Sequence, residues 1–279
     1  MSTSFTLATE SLRALDPDRY AATLVLPPRH RPAVQALYAF AAEVAAIRER
    51  VSEPAPGEIR LQWWVDALEG SGHGEVRRNP VADALLTVLS ERGLPRGPLV
   101  RLLAARRFDL YGDPMPDLNQ FEGYAGETVS VLYQYAAMIL AEDAQVPAAD
   151  AAGHLGVAEA VAGHLRAFGY NAARGQIFLP LSVFAAHGAG EADILAGRDS
   201  DAIRASLKQL AEIGLDHSEK AGAALAAVPR VARPAFAPLP VVRRDLSRAH
   251  AAPSGFAAPA PRNRFATLAR MTLWALRNG

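Results

Sequence analysis

Apolar residues recur at three- and four-residue steps through most of the chain. Between 31 and 52, Val34, Leu37, Tyr38, Ala41, Val44, Ala45 and Arg48 fall on these steps behind Pro27, Pro28 and Pro32, which predicts an amphipathic helix with a proline-marked start. The same period predicts helices over 57–70, where Ile59, Leu61, Trp63, Trp64, Ala67 and Leu68 carry it, and over 80–92, 97–110, 118–141, 150–168, 199–227 and 262–277. Alternating β-branched runs between turn signals are nearly missing, so the chain reads as all-α. Breaks fall at Gly93-Leu94-Pro95, at Gly112-Asp113-Pro114, at Pro147 and over 188–190. Prolines then cluster at 229, 234, 238, 240, 253, 259 and 261, leaving room for a short helix over 236–246 before 251–261 crosses the surface. The expected division is a helical domain over 1–250, followed over 251–279 by that crossing and a basic amphipathic helix.

Composition narrows the function. With 279 residues, 50% of them hydrophobic and 21% charged, the chain can bury one large core or two modest ones. Its 29 basic and 29 acidic side chains cancel, so nothing electrostatic favours a nucleic-acid partner. The absence of cysteine excludes disulfides, thiolate catalysis and thiolate-bound metal, and suits a reducing cytoplasm. Residues 1–16 lack the basic and apolar regions of a signal peptide, and no run of about 18 apolar residues is present to span a bilayer. A soluble cytoplasmic protein is expected, with peripheral contact on the inner membrane as the limit.

Five short strings carry a resemblance. Leu37-Tyr38-Ala39-Phe40, Arg60-Leu61-Gln62-Trp63-Trp64, Asn79-Pro80-Val81, Glu122-Gly123-Tyr124-Ala125-Gly126-Glu127-Thr128 and Arg174-Gly175-Gln176-Ile177-Phe178-Leu179-Pro180 occur in this order. Together they resemble the squalene/phytoene synthase family over about residues 16–250. The resemblance implies an all-α, isoprenoid-synthase-type helical bundle around a deep central cavity. In active members two prenyl diphosphates are joined head to head, while Mg²⁺ bridges their diphosphates to two aspartate-rich motifs on facing helices. Ionising an allylic diphosphate leaves a group with several negative charges, which hard oxygen-ligated cations neutralise.

Those aspartates are eroded here. Aligned on Tyr38 and Phe40, the paired aspartates of the first motif fall on Ala45 and Ala46, and only Glu49 lies near the third carboxylate. Counting back from Gly175 and Pro180 places Gly163, Arg166, Ala167 and Asn171 at the asparagine, arginine and two aspartates of the second motif. Gln176 and Phe178 replace its following arginine and tyrosine, and no Asp or Glu lies between Glu159 and Pro180. Loss of most anionic ligands on both walls removes the metal cluster and several kcal/mol of leaving-group stabilisation. The pattern, with Phe108-Asp109-Leu110, Asp117-Leu118 and Tyr124 through Ser130, resembles the subgroup of this family that assembles respiratory complex I, the NADH:ubiquinone oxidoreductase.

The resemblance therefore implies a non-catalytic assembly or chaperone-like factor without a cofactor, whose partner is a membrane-complex subunit or an anionic or isoprenoid lipid. A Mg²⁺-dependent head-to-head prenyl diphosphate synthase and a lipid-binding protein without turnover are the alternatives. Candidate cavity residues are Tyr38, Phe40, Glu49, Arg60, Trp63, Tyr124, Arg166, Asn171 and Gln176. Trp63 and Trp64 diverge by about 100° on a helix, so at most one faces the centre. Arg166 and Arg174 suit a phosphate grip. Asp109, Asp113, Asp117 and Glu122 read as a solvated turn, with Asp117 as an N-cap. The seven histidines show no metal-ligand spacing and are expected at the surface or at caps. The final helix sets four arginines among Phe, Leu, Met and Trp, making Arg264, Arg270, Trp274 and Arg277 candidates for contact with an anionic bilayer.

Overall fold

The computed structural model describes residues 3–72, 75–252, 254–257 and 261–279, which contain helices and no strand. His73, Pro253 and Pro259, read from the sequence as a scattered histidine and two of the clustered prolines, lie outside the described residues. In chain order the helices are α1 (Thr3–Leu15), α2 (Pro17–Thr23), α3 (Arg31–Ala45), α4 (Pro54–Glu69), α5 (Pro80–Glu91), α6 (Gly97–Arg106), α7 (Leu118–Ala125) and α8 (Val131–Ala141). They continue with α9 (Ala149–Arg166), α10 (Phe168–Ala172), α11 (Leu181–Ala186), α12 (Glu191–Leu195), α13 (Asp201–Ala224), α14 (Leu239–His250) and α15 (Arg264–Asn278).

Two nearly buried helices organise the bundle. In α3 the run from Ala33 to Ala42 is buried throughout, with α1, α5 and α8 packed around it. In α9, Ala151, Ala152, Gly156, Ala158, Ala160 and Ala162 are buried, and such small side chains let α13, α14 and α8 approach closely. Helix starts follow local chemistry. The Asn79 carboxamide accepts from the backbone N–H groups of Val81 and Ala82 at 2.9 and 3.0 Å ahead of α5, and Asp117 caps α7 through Gln120 N–H at 2.9 Å. Gly70, with φ of 83°, closes α4 in a left-handed conformation that a side chain would strain.

Three departures from the expected helices shape the cavity. The helix expected over 31–52 stops at Ala45; Ile47 is buried and a 3₁₀ turn over Arg48–Arg50 turns Arg48 toward the interior. The single helix expected over 118–141 is split by a π-helical turn at Gly126–Ser130. There the Thr128 hydroxyl donates to the Tyr124 carbonyl at 2.6 Å, the acceptor that an α-helix would offer to the Thr128 N–H. The helix expected over 150–168 ends at Arg166 and restarts as α10, which turns Asn171 inward. Helices α1, α2, α11 and α12 lie outside the expected spans, although Asp16 before Pro17 is a start signal and the Asp16 side chain does cap α2. The short helix expected over 236–246 is α14, displaced to Leu239–His250.

Candidate functional site: the central cavity

A cavity of about 420 Å³ opens among α2, α3, α9, α14 and α15. Its floor is aromatic and aliphatic, and its polar groups are arranged as arginine-centred networks. Arg19, from α2, donates to Glu159 on α9 at 2.8 Å, pairs with Asp16 at 3.2 Å, and lies 5.4 Å from the Tyr38 ring centre. The Tyr133 hydroxyl also donates to Glu159. Burial pushes the hydroxyls of Tyr38 and Tyr133 above the usual phenol range; burial likewise raises the Asp16 carboxyl, against the pull of Arg19.

On the opposite wall Arg106 donates to Asp109 and to the Tyr124 hydroxyl, each at 2.9 Å, and Tyr124 donates in turn to Asp109 at 2.7 Å. Arg262 donates to Asp245 at 2.9 Å through Nε and also pairs with Asp18. Burial works against the Arg262 charge, but Asp18 and Asp245 more than offset it. Arg48 is different. It stands 4.6 Å from the Phe178 ring centre and 3.5 Å from Asn171 Oδ1, and burial lowers its pKa. His164 stacks on Phe178 at 4.9 Å, and burial pushes its imidazole down to about 4, so it is neutral near pH 7.

Of the sequence candidates, Tyr38, Tyr124 and Asn171 line this cavity. Phe40 is fully buried and packs edge-on against Trp64 at 5.0 Å, because α3 turns that face into the core. Trp63 is half-buried against Trp64 outside the cavity, and Arg60 lies on the exposed side of α4. Glu49 is drawn outward to Arg174 and Tyr170, both at 3.2 Å. Arg166, the last residue of α9, faces an outer groove with Lys208 and Arg248. Gln176 sits in a shallow pocket beside Arg48 and Asp109.

Arg19, Arg48, Arg106, Glu159, His164 and Arg262 also line the cavity and were not among those candidates. Arg48 already sat on the helical period of the first motif, which was its only signal in the sequence. His30 does take the N-cap position of α3 but is fully buried and makes no side-chain capping bond, and the expectation of histidines at the surface or at caps fails for His164, which lines the cavity. It also fails for His154 and His217, whose Nδ1 atoms meet at 3.1 Å between α9 and α13. The acidic stretch divides: Asp117 is the expected cap, whereas Asp109 is buried in the Arg106 network.

Three carboxylates line the cavity, Asp16, Asp18 and Glu159, and each is held by an arginine. Ala167 and Asn171 also line it, at the two aspartate positions of the second motif. Among the described residues no group of three or more His, Asp or Glu side chains is placed to hold a metal ion.

Helix α15 closes one side. Thr267 and Met271 face the cavity, and Trp274 packs against the bundle, which removes it from the outward-facing candidates. Arg264, Arg270 and Arg277 are exposed, as are Phe265 at 88%, Leu276 at 79% and Leu273 at 50%. Among the described residues no helix is long and apolar enough to cross a membrane.

A helical bundle around a central cavity, lined by Tyr38 of the first string and by Tyr124 and Thr128 of the fourth, has the architecture of the isoprenoid-synthase fold. The squalene/phytoene synthase family matches residues 12–274, and the chain belongs to that family. The fold superposes on a dehydrosqualene synthase with a TM-score of 0.78 at 18% identity, covering 98% of this chain and 97% of that one. It superposes on the squalene synthase HpnC of Alicyclobacillus acidocaldarius with a TM-score of 0.74 at 19% identity, covering 88% and 92%. In sequence the chain is 30% identical over 228 residues to NADH dehydrogenase (ubiquinone) complex I, assembly factor 6 of Mus musculus, covering 81% of this chain and 68% of that protein. It is 26% identical over 227 residues to the 15-cis-phytoene synthase of Synechocystis, covering 77% and 66%.

Proposed function

We propose that this chain is a non-catalytic member of its family, acting as an assembly or chaperone-like factor for a membrane complex such as respiratory complex I. The observation that carries the reading is the donor set of the cavity. Ala167 and Asn171 line it at the aspartate positions of the second motif, Ala45 and Ala46 stand at those of the first without reaching the cavity lining, and the carboxylates that remain on the walls are engaged by Arg19 and Arg262. These residues do not fit a magnesium cluster, which needs several free anionic oxygens converging on one point. Similarity to complex I assembly factors at 30% identity supports the same reading. Its partner is then a subunit of the complex or a lipid beside it, reached from the cytoplasmic side by peripheral contact through α15.

The test is incubation of the purified chain with farnesyl or geranylgeranyl diphosphate, Mg²⁺ and NADPH, following diphosphate release. None is expected, and affinity capture from detergent-solubilised membranes of the source cell is expected to retain complex I subunits. Turnover, or capture of no such subunit, counts against the assignment.

A further inference from the structure

Three of the four cavity guanidinium groups are neutralised in place: Arg19 by Asp16 and Glu159, Arg106 by Asp109, and Arg262 by Asp18 and Asp245. Arg48 is not. Its nearest carboxylate oxygen is 3.9 Å away on Glu49, whose side chain is 43% exposed and is drawn off to Arg174, and the other carboxylate whose charge reaches it, Asp109, is paired with Arg106. The Arg48 side chain is only 15% exposed, and its Nε is buried with no hydrogen-bond partner. A guanidinium so enclosed and so weakly countered is a standing electrostatic cost unless an anion meets it.

The surroundings select the kind of anion. Phe178 offers its ring face and Asn171 its carboxamide on the side of Arg48, while neutral His164 adds no charge. Beyond them Val129, Ala160, Ala162, Val242 and Met271 give an apolar lining, within a volume suited to a small-molecule ligand. A diphosphate carried on metal ions requires free carboxylates that the cavity lacks. A guanidinium, by contrast, recognises a carboxylate or phosphate directly.

We propose that the cavity holds a single-chain amphiphile ending in one anionic head group, a carboxylate or a phosphate monoester, gripped by Arg48 without a metal ion. This rests on the reading of the cavity as non-catalytic, and it names what such a cavity is for.

The full chain is titrated in the presence of EDTA with palmitate and with farnesyl monophosphate, using hexadecanol and farnesol as uncharged counterparts, by calorimetry and by thermal shift. At least one anion is expected to bind one-to-one and to raise the melting temperature, the tighter of the two naming the head group. Its alcohol is expected to bind at least about tenfold more weakly, the scale of one lost charge-assisted hydrogen bond. Arg48→Gln is expected to weaken anion binding by at least the same factor.

Asn171→Asp provides a variant that need not destabilise the fold. It places a carboxylate beside Arg48, and is expected to raise the melting temperature of the ligand-free protein while abolishing anion binding. Equal binding of acid and alcohol, undiminished binding by Arg48→Gln, or binding that requires Mg²⁺ overturns the proposal. Diphosphate release in the synthase assay would instead overturn the non-catalytic reading, and the Arg48 titrations would still report on their own.

Discussion

Asp109 is 5% exposed and receives hydrogen bonds from both Arg106 and Tyr124, so its charge is set against a guanidinium that has little access to water. Asp109→Asn preserves shape but leaves Arg106 enclosed without its counter-charge, and is expected to cost about 3–5 kcal/mol in urea unfolding. Replacing both partners, as in Arg106→Met with Asp109→Asn, should recover part of that loss. His164 gives a pH signature. Its folded pKa of about 4 lies below the ordinary value of 6.5, so the unfolded chain takes up a proton that the folded chain refuses. Stability conferred by this group is therefore complete above pH 6.5, falls as pH drops toward 4, and changes no further below that. Between pH 7 and pH 5 the loss is about 2 kcal/mol, and His164→Phe should remove that increment when unfolding midpoints are compared at the two pH values. Of the aspartate positions, Ala167 and Asn171 do come to the cavity, and they were legible because short spacing to Gly175 and Pro180 defines them. The networks that replaced them were not, since Arg19 meets Glu159 across a separation of 140 residues and no local pattern announces such a pair.

The helices were legible as elements wherever the apolar period runs long, as in α5, α6 and α13. Their interruptions were not, because they depend on partners elsewhere in the fold. The π-helical turn that carries Thr128 and Val129 to the cavity leans on α9 at Gly156, where an added Cβ would stand 2.5 Å from the Ser130 backbone Cα. Gly156→Ala is expected to destabilise by about 2–3 kcal/mol, since backbone rather than a flexible side chain would have to move. Gly153, one turn earlier on α9, has nothing within 4 Å of that position. Gly153→Ala should therefore stabilise by up to about 1 kcal/mol through helix propensity alone. Thermal denaturation of the two variants separates contact from propensity, and equal effects would contradict the close approach of α9 to the π turn.

At the scale of the whole molecule, α15 is the one described helix with a wide apolar stripe turned to solvent. Phe265, Leu273 and Leu276 form that stripe, Arg264, Arg270 and Arg277 flank it, and the helix contains no acidic residue. An anionic bilayer complements both features, the arginines meeting head groups while the stripe enters the interfacial layer. Its inner face supplies Thr267 and Met271 to the cavity, so docking through α15 would lay one cavity wall against the lipid. The amphipathic pattern was visible in the sequence, but its direction was not: Trp274 looked suited to the membrane and instead packs on the bundle. The protein is expected to float with phosphatidylserine-containing vesicles and not with phosphatidylcholine alone. Reversing all three arginines to glutamate should weaken binding by about a hundredfold or more, at about 1 kcal/mol per cationic side chain near an anionic surface. Raising salt from about 0.1 M to about 1 M shortens the screening length from ~10 to ~3 Å and should release most of the protein. Phe265→Ser with Leu276→Ser should weaken binding without changing that salt dependence, because it removes the apolar contribution and leaves the charges in place. If the charge-reversed chain floats as well as the parent, α15 is not the membrane contact, and its exposed stripe is left to a protein subunit of the complex.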